Sequence, residues 1–245
     1  MHQSGKILES YREYLMRLGI YLDLDAGSHF DDLLTDQSLL RELEFMVADE
    51  SHFETKRFDS ALDFGLFRIA IYCIVRAAQP EIFVETGVLH GLTSTYILKA
   101  LDVNGAGTLI SIDYPSYYKS GPANKDGFYA TLPPGREPGW VIPEQYRHRW
   151  LCHLGRSSDI LPKVLEADRP DIFCHDSEHT YGTMELEMQL TWPRLPRGGI
   201  LICDNIDCNT SFFDLCLQVR QVPFVLPDLG ISVSRKIRFG IIRKP

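Results

Sequence analysis

The stretch EIFVETGVLHGLTSTYIL, residues 81–98, decides the fold. It opens as a short apolar run ending in a carboxylate, Glu85, crosses a turn that carries Gly87 and Gly91, and continues at helical spacing. A run of this kind, bounded by polar side chains, has the texture of a strand buried on both faces in a parallel sheet. Glycine in the turn lets backbone come close to a ligand, and a helix starting there offers free N–H groups. A purely structural reading, in which the glycines only permit a tight turn, stands beside this. The spacing G-x-x-x-G, in place of G-x-G-x-x-G, speaks against a dinucleotide pyrophosphate site.

The same texture recurs downstream in GTLISID (107–113), RWLCHLG (149–155), DIFCHD (171–176) and GILICD (199–204). Helical patterns are expected between these runs at about 91–102, 157–167, 180–192 and 209–219. That alternation predicts an α/β chain with a doubly wound, mostly parallel sheet. PFVLPDL (223–229), ISVSR and IRFGIIRK follow one another without a helical pattern, so at least one antiparallel pairing closes the sheet.

Upstream, apolar residues recur at helical spacing as Leu8, Tyr11, Leu15, Leu18, then Leu33, Leu40, Leu43, then Leu62, Leu66, Ile69, Cys73, Ile74, with Pro80 as the stop. Two parts follow: an N-terminal helical extension over 1–78 and a cofactor-binding domain over 79–245. Within the second, residues 114–147 hold Pro115, Gly121, Pro122, Gly127, Pro133, Pro134, Gly135, Pro138, Gly139 and Pro143 among the rings of Tyr117, Tyr118, Phe128, Tyr129 and Trp140. This insertion is expected to be irregular and, from its aromatic rings, to serve as a substrate-facing lid, with a merely mobile insertion as the alternative.

The 245 residues are 44% hydrophobic and 24% charged, which fits a globular domain. Of the net charge of −8, residues 1–60 carry −7, with 6 basic residues against 13 acidic. No basic stripe is present to follow a phosphate backbone, so nucleic acid is not an expected partner. The apolar stretch Ile69–Val75 is far short of the roughly 20 residues that span a bilayer, and the first twenty residues lack the layout of a secretory signal. A cytoplasmic protein with no membrane partner is expected. The six cysteines fall mostly in apolar runs, where they act as small hydrophobes, and Cys203 with Cys208 lacks the second pair a zinc cluster needs.

Ligands bind outside the carboxyl ends of the strands in such a sheet. Those ends read Glu85, Asp113, Asp176 and Asp204-Asn205, so four carboxylates gather on one rim. Asp113 suits both hydroxyls of a ribose, which, with the glycine turn, points to a nucleoside-bearing ligand without a pyrophosphate. Asp176, Asp204 and Asn205 make a hard, all-oxygen set suited to Mg²⁺. The alternative is that Asp176 and Asp204 cap the helices that follow them.

In its order of motifs, E-T-G-x-x-x-G, I-S-I-D, D-I-F-C-H-D and G-G-I-L-I-C-D-N, the chain resembles the class I S-adenosylmethionine-dependent methyltransferases over about residues 80–205. Asp176, His179 and Tyr181 form a D-x-x-H-x-Y motif similar to that of metal-dependent sugar O-methyltransferases and cephalosporin hydroxylase-like proteins. The metal residues resemble those of catechol O-methyltransferase. The resemblance implies that Glu85, Gly87 and Gly91 line the methionine end of S-adenosylmethionine, that Asp113 holds the ribose, and that Arg156, Ser157 and Ser158 lie beside the adenine. It implies a divalent ion, Mg²⁺ or another, on Asp176, Asp204 and Asn205.

His179 is the candidate general base, since a neutral imidazole near its ordinary pKa of about 6.5 accepts a hydroxyl proton. A surface or capping role is its alternative. His175, expected on the opposite face from Asp176, and His90, in the cofactor turn, are weaker candidates. Glu178 is either a further ligand or a solvated helix residue. The expected activity is O-methylation of a small hydroxylated molecule, a sugar or natural-product intermediate, with a homodimer among the expected assemblies. A hydroxylase-like oxidoreductase on the same scaffold and a non-catalytic cofactor-binding protein are the competing readings.

Overall fold

The computed structural model describes residues 2–36, 38–39, 41, 65–115, 132, 134–227 and 238–245. Its centre is a seven-stranded sheet: β1 (Ile82–Thr86), β2 (Thr108–Asp113), β3 (Trp150–Leu154), β4 (Ile172–His175), β5 (Ile200–Cys203), β6 (Phe224–Pro227) and β7 (Arg238–Arg243). The order is β3-β2-β1-β4-β5-β7-β6. The first five strands pair in parallel, and β7 runs antiparallel to both β5 and β6. This is the expected doubly wound, mostly parallel sheet, with the antiparallel closure supplied by the tail. ISVSR, at 231–235, lies outside the described residues.

Alternation along each strand builds two apolar layers. Phe83, Leu109, Ile172, Cys174, Ile200 and Ile202 face one layer. Val84, Ile110, Ile112, Phe173, Leu201 and Cys203 face the other. The first layer is covered by α3 (Gly65–Ala78) and α4 (Leu92–Asn104), onto which α1 (His2–Leu22) and α2 (His29–Thr35) bring Tyr11, Leu15, Leu18, Phe30 and Leu33. The second is covered by α5 (Ser157–Ala167), α6 (Tyr181–Thr191) and α7 (Ser211–Val219).

Helix α3 is therefore one of the helices that flank the sheet. Its Phe67 stacks on Phe239 of β7, ring centroids 3.8 Å apart. Lys99 of α4 pairs with Asp36, which ties the segment after α2 to the same layer. Positions Leu40, Leu43 and Leu62 of the expected N-terminal helices lie outside the described residues.

Residues 138–147 of the expected lid are packed structure, while 134–137 are exposed. Trp140, Val141, Ile142 and Tyr146 are buried in the first layer, and a 3₁₀ helix runs from Glu144 to Arg149. Gly139 donates its N–H to the Leu89 carbonyl at 2.9 Å and Val141 to that of His90 at 3.1 Å, so this segment is bonded along the turn between β1 and α4. The other expected lid rings, Tyr117, Tyr118, Phe128 and Tyr129, lie outside the described residues. Among the described residues no disulfide forms, Cys73, Cys174, Cys203 and Cys216 are buried, and no helix is long and apolar enough to cross a membrane.

Candidate active site

Parallel register brings the site together. Thr86 pairs with Ile112 of β2 and His175 of β4, and His175 pairs with Cys203 of β5. The residues that follow these, Asp113, Gly87, Asp176 and Asp204, therefore emerge side by side at the carboxyl edge. The chain continues the ladder there: Gly87 N–H donates to Ile112 O (2.8 Å), Asp176 N–H to Thr86 O (2.9 Å) and Asp204 N–H to His175 O (2.9 Å).

Gly87 adopts φ +87°, and a Cβ placed on it would stand 1.9 Å from the Asp176 carbonyl oxygen. Any side chain would thus collide with backbone. Gly91, at φ +92°, has a similar constraint, since its Cβ would lie 2.7 Å from Gly139 Cα. Both glycines are required by close backbone approach as well as by turn geometry.

Asp113 accepts the N–H groups of Val88 (2.6 Å) and Leu89 (2.8 Å) on Oδ2, which holds the turn in place. Among the described residues, Oδ1 accepts no hydrogen bond, which leaves one oxygen for a ligand hydroxyl. Burial raises its pKa, the two N–H groups oppose that rise, and the charge of Asp176 adds to it. Arg156, at the start of α5, lies over the ring of Tyr114 at 5.1 Å, directly beside Asp113, and Ser157 and Ser158 open that helix. Glu85 is fully buried and braces the base of the site: its Oε1 accepts Ser94 Oγ (2.5 Å) and Ser111 Oγ (2.6 Å). Burial lifts its pKa to about 8 against the opposing effect of the two hydroxyls.

Asp176, His179 and Asp204 place ligand atoms within 4.8 Å of one another. Asn205 joins them from a left-handed backbone conformation, φ +49°, which asparagine tolerates better than most residues. Its N–H donates to Asp204 Oδ1 (2.6 Å), and its Nδ2 lies 3.2 Å from both Asp204 Oδ2 and His179 Nε2. The amide nitrogen thus faces the carboxylate, and a half-turn of the amide would present its oxygen to a cation. Asp204 has its pKa raised well above the ordinary carboxylate range, by burial first and by the neighbouring Asp176 second, with Asn205 N–H and Arg68 opposing. Two crowded carboxylates are relieved either by a proton or by a cation.

The capping alternative fails for both aspartates. Helix α6 is capped by Thr180, whose side chain accepts from Thr183 N–H, and the N-cap of α7 is Thr210. Glu178 is accounted for as well, since its Oε2 accepts Thr183 Oγ1 at 3.2 Å on the first turn of α6 and it is not among the clustered ligand atoms. His90 Nδ1 takes the indole N–H of Trp140 at 2.9 Å. Tyr181 points away from the cluster, its hydroxyl 3.2 Å from Asp214.

Sequence reasoning did not assign Glu187, a fully buried carboxylate on α6. Its Oε2 accepts Thr86 Oγ1 (2.5 Å) and His175 Nδ1 (2.6 Å), and its Oε1 accepts Ser177 Oγ (2.8 Å). Burial pushes its pKa up, but His175 and the donated hydrogen bonds outweigh that and hold it below the ordinary range. The helical spacing of Glu187 with Met184, Met188 and Thr191, which are buried with it, was the available signal, since such a charge is seldom buried without partners.

Residues 84–206, half of the chain, match the family model described as a methyltransferase domain. No curated protein matches the sequence. Among solved structures, a putative O-methyltransferase from Klebsiella pneumoniae is similar with a TM-score of 0.58 at 12% identity, covering 89% of this chain and 96% of that one. The O-methyltransferase TomG from Streptomyces achromogenes, involved in tomaymycin synthesis and solved with SAM, has a TM-score of 0.56 at 14% identity, covering 87% and 92%. An O-methyltransferase from Bacillus cereus, in complex with SAH, has a TM-score of 0.55 at 13% identity, covering 89% and 96%. Those likenesses rest on a shared sheet and its flanking helices. The match across β1 to β5 takes in both the glycine turn and the acidic edge, and by it this chain belongs to the methyltransferase-domain family.

Proposed function

We propose that the protein is an S-adenosylmethionine-dependent O-methyltransferase that uses a divalent cation, Mg²⁺ in the first instance, to methylate a hydroxyl of a small molecule. The observation that carries this reading is the contact between Gly87 and Asp176. The turn suited to the cofactor and the cluster suited to a cation meet backbone to backbone at one strand junction. The cofactor-bound structures with similar folds support the choice of cofactor.

When bound, the cofactor would supply an electrophilic methyl group on sulfur, and the cation would supply Lewis acidity and orientation for the acceptor hydroxyl. The chain's own residues do the rest. Asp113 Oδ1 holds a ribose hydroxyl, the Gly87–Gly91 turn admits the cofactor close to backbone, and Asp176, Asp204 and Asn205 hold the cation. His179 Nε2 would accept the proton that the acceptor hydroxyl gives up on methylation. Alignment of oxygen, carbon and sulfur by these fixed groups supplies much of the acceleration.

A second role for His179 is favoured by one observation, the presence of its imidazole among the clustered ligand atoms. Two carboxylates and one imidazole suit Mn²⁺ or another transition ion better than an all-oxygen set does. The set also inverts the two-histidine, one-carboxylate pattern of non-haem iron oxygenases, which disfavours the hydroxylase alternative. His179→Ala separates the roles. As base, its loss lowers kcat by roughly 10²–10⁴-fold with Mn²⁺ affinity unchanged; as ligand, its loss weakens Mn²⁺ binding itself.

Calorimetric titration with S-adenosylmethionine, with Mg²⁺ and with a chelator, tests the whole reading. Wild-type binding that weakens at least about tenfold in Asp113→Asn, a loss of roughly 1.4 kcal/mol, supports the cofactor site. Asp204→Ala is expected to keep cofactor binding and to lose at least about 100-fold of methyl transfer across a panel of hydroxylated acceptors. Full turnover in Asp204→Ala, or in the presence of chelator, overturns the cation role.

A further inference from the structure

Glu187 is remote from any open surface, yet it touches three of the residues that build the site's edge. Through Thr86 it holds the residue before Gly87, and through His175 and Ser177 it holds both neighbours of Asp176 in the chain. The Asp176 N–H is itself bonded to the Thr86 carbonyl. One carboxylate on α6 thus fixes the ends of β1 and β4 and the first residue of the loop beyond Asp176. His175 carries the bracing further, since its ring packs edge-on against that of His179, centroids 5.4 Å apart.

An apolar side chain would fill this place at lower desolvation cost if packing α6 on the sheet were the whole requirement. The carboxylate accepts donors from separate points, Thr86, His175 and Ser177 at the edge and Ser157 at the start of α5, which is the arrangement that sets orientation. We propose that Glu187 is a positioning residue: by gripping His175, Ser177 and Thr86 together it sets the direction of Asp176, and hence the affinity of the cluster for a divalent cation. This rests on the reading of Asp176, Asp204 and Asn205 as the cation site. Groups that orient metal ligands in this way are worth about 10–100-fold in affinity.

The experiment is calorimetric titration of the purified full chain with Mn²⁺, for wild type, Glu187→Gln and Ser177→Ala, with S-adenosylmethionine binding and thermal unfolding measured on the same samples. Glutamine keeps the shape but turns an N–H₂ group toward a donor, so one grip is lost. The expected result is a roughly 10–100-fold weaker Mn²⁺ affinity in Glu187→Gln, with S-adenosylmethionine affinity within about threefold of wild type and kcat recovered at high Mn²⁺. Ser177→Ala, which loses the tie on the far side of Asp176, is expected to weaken Mn²⁺ severalfold. Folded Glu187→Gln that binds Mn²⁺ as wild type does overturns the proposal. So does equal weakening of both ligands in step with lost stability, the pattern of a merely structural residue. If Glu187→Gln does not fold, unchanged Mn²⁺ affinity in Ser177→Ala overturns it instead. Absence of Mn²⁺ binding in wild type overturns the cation site itself, and the role of Glu187 with it.

Discussion

At the scale of single residues, two positions carry most of the constraint. Gly87 combines a left-handed backbone with a carbonyl oxygen where its Cβ would be, so Gly87→Ala faces both strain and collision. A loss of at least about 2 kcal/mol is expected, measured as a lowered midpoint in urea unfolding. Glu85 is the second. Its pKa is about 8 in the folded chain against an ordinary 4.5, so the folded state holds a proton that the unfolded state has released across that interval. Stability from this group is full below the unfolded value and falls as pH rises toward the folded one, at up to about 1.4 kcal/mol per pH unit. Glu85→Gln keeps an acceptor for Ser94 and Ser111 and removes the titration. The stability of the variant relative to wild type should therefore rise between pH 5 and 8, read from unfolding curves at each pH; a constant difference would show that Glu85 does not titrate there.

At the scale of elements, α3 both covers the sheet and brings Arg68 close enough to act on the charge of Asp204. It covers one face of the sheet and is fastened by the stack of Phe67 on Phe239, which joins it to β7. Phe67→Ala is expected to cost about 3–5 kcal/mol in urea unfolding, from lost burial and the cavity left behind. The packed segment at 139–146 lies in the same apolar layer and is bonded along the turn between β1 and α4. Trp140→Phe keeps an aromatic ring but removes the indole N–H bonded to His90 and leaves a gap in the buried layer, so a loss of about 1–3 kcal/mol is expected together with weaker S-adenosylmethionine binding. Unchanged cofactor affinity in that variant would show that the segment packs beside the turn without shaping it.

At the scale of the whole molecule, the N-terminal helices share one apolar layer with the sheet, and charge pairs mark the junction, Arg76 with Asp32, Arg243 with Asp23 and, most buried, Lys99 with Asp36. Lys99 of α4 is nearly buried against Asp36. Burial lowers the pKa of Lys99 and its bonds to Asp36 outweigh that, for a net rise, while burial raises that of Asp36 and its bonds to Lys99 and Ser38 leave it lowered. The contribution of Asp36 is present above its unfolded pKa and lost as pH falls through the folded one. That of Lys99 is present below its unfolded pKa and lost as pH rises through the folded one. The pair is therefore intact across the neutral range. Lys99→Met should leave Asp36 partly buried without its cation, held by Ser38, a cost of about 1–3 kcal/mol. Faster hydrogen exchange in α1 and α2 than in β1 or β4 would place that loss at the junction.

The order of strands and helices from β1 to α7 was legible in the sequence because each element carries its own periodicity and most carry a marked ending: apolar runs that stop at acidic residues in β1, β2, β4 and β5, and helices that begin after glycine or threonine in α4, α6 and α7. The rim of Asp113, Asp176, Asp204 and Asn205 was legible for the same reason, since a parallel sheet sets all its strand ends on one edge. What surrounds that rim was decided by contacts between segments distant in the chain. Residues 139–146 read as an irregular lid because proline and glycine give no period, and they pack instead into the core, where Gly91 leaves room for Gly139. His179 joined the ligand cluster, and Glu187 emerged as the grip on its base, only once β1, β4 and α6 were placed in three dimensions. Local pattern expresses backbone preference and burial, which a single segment contains; the partner of a buried charge is a property of two segments brought together by packing.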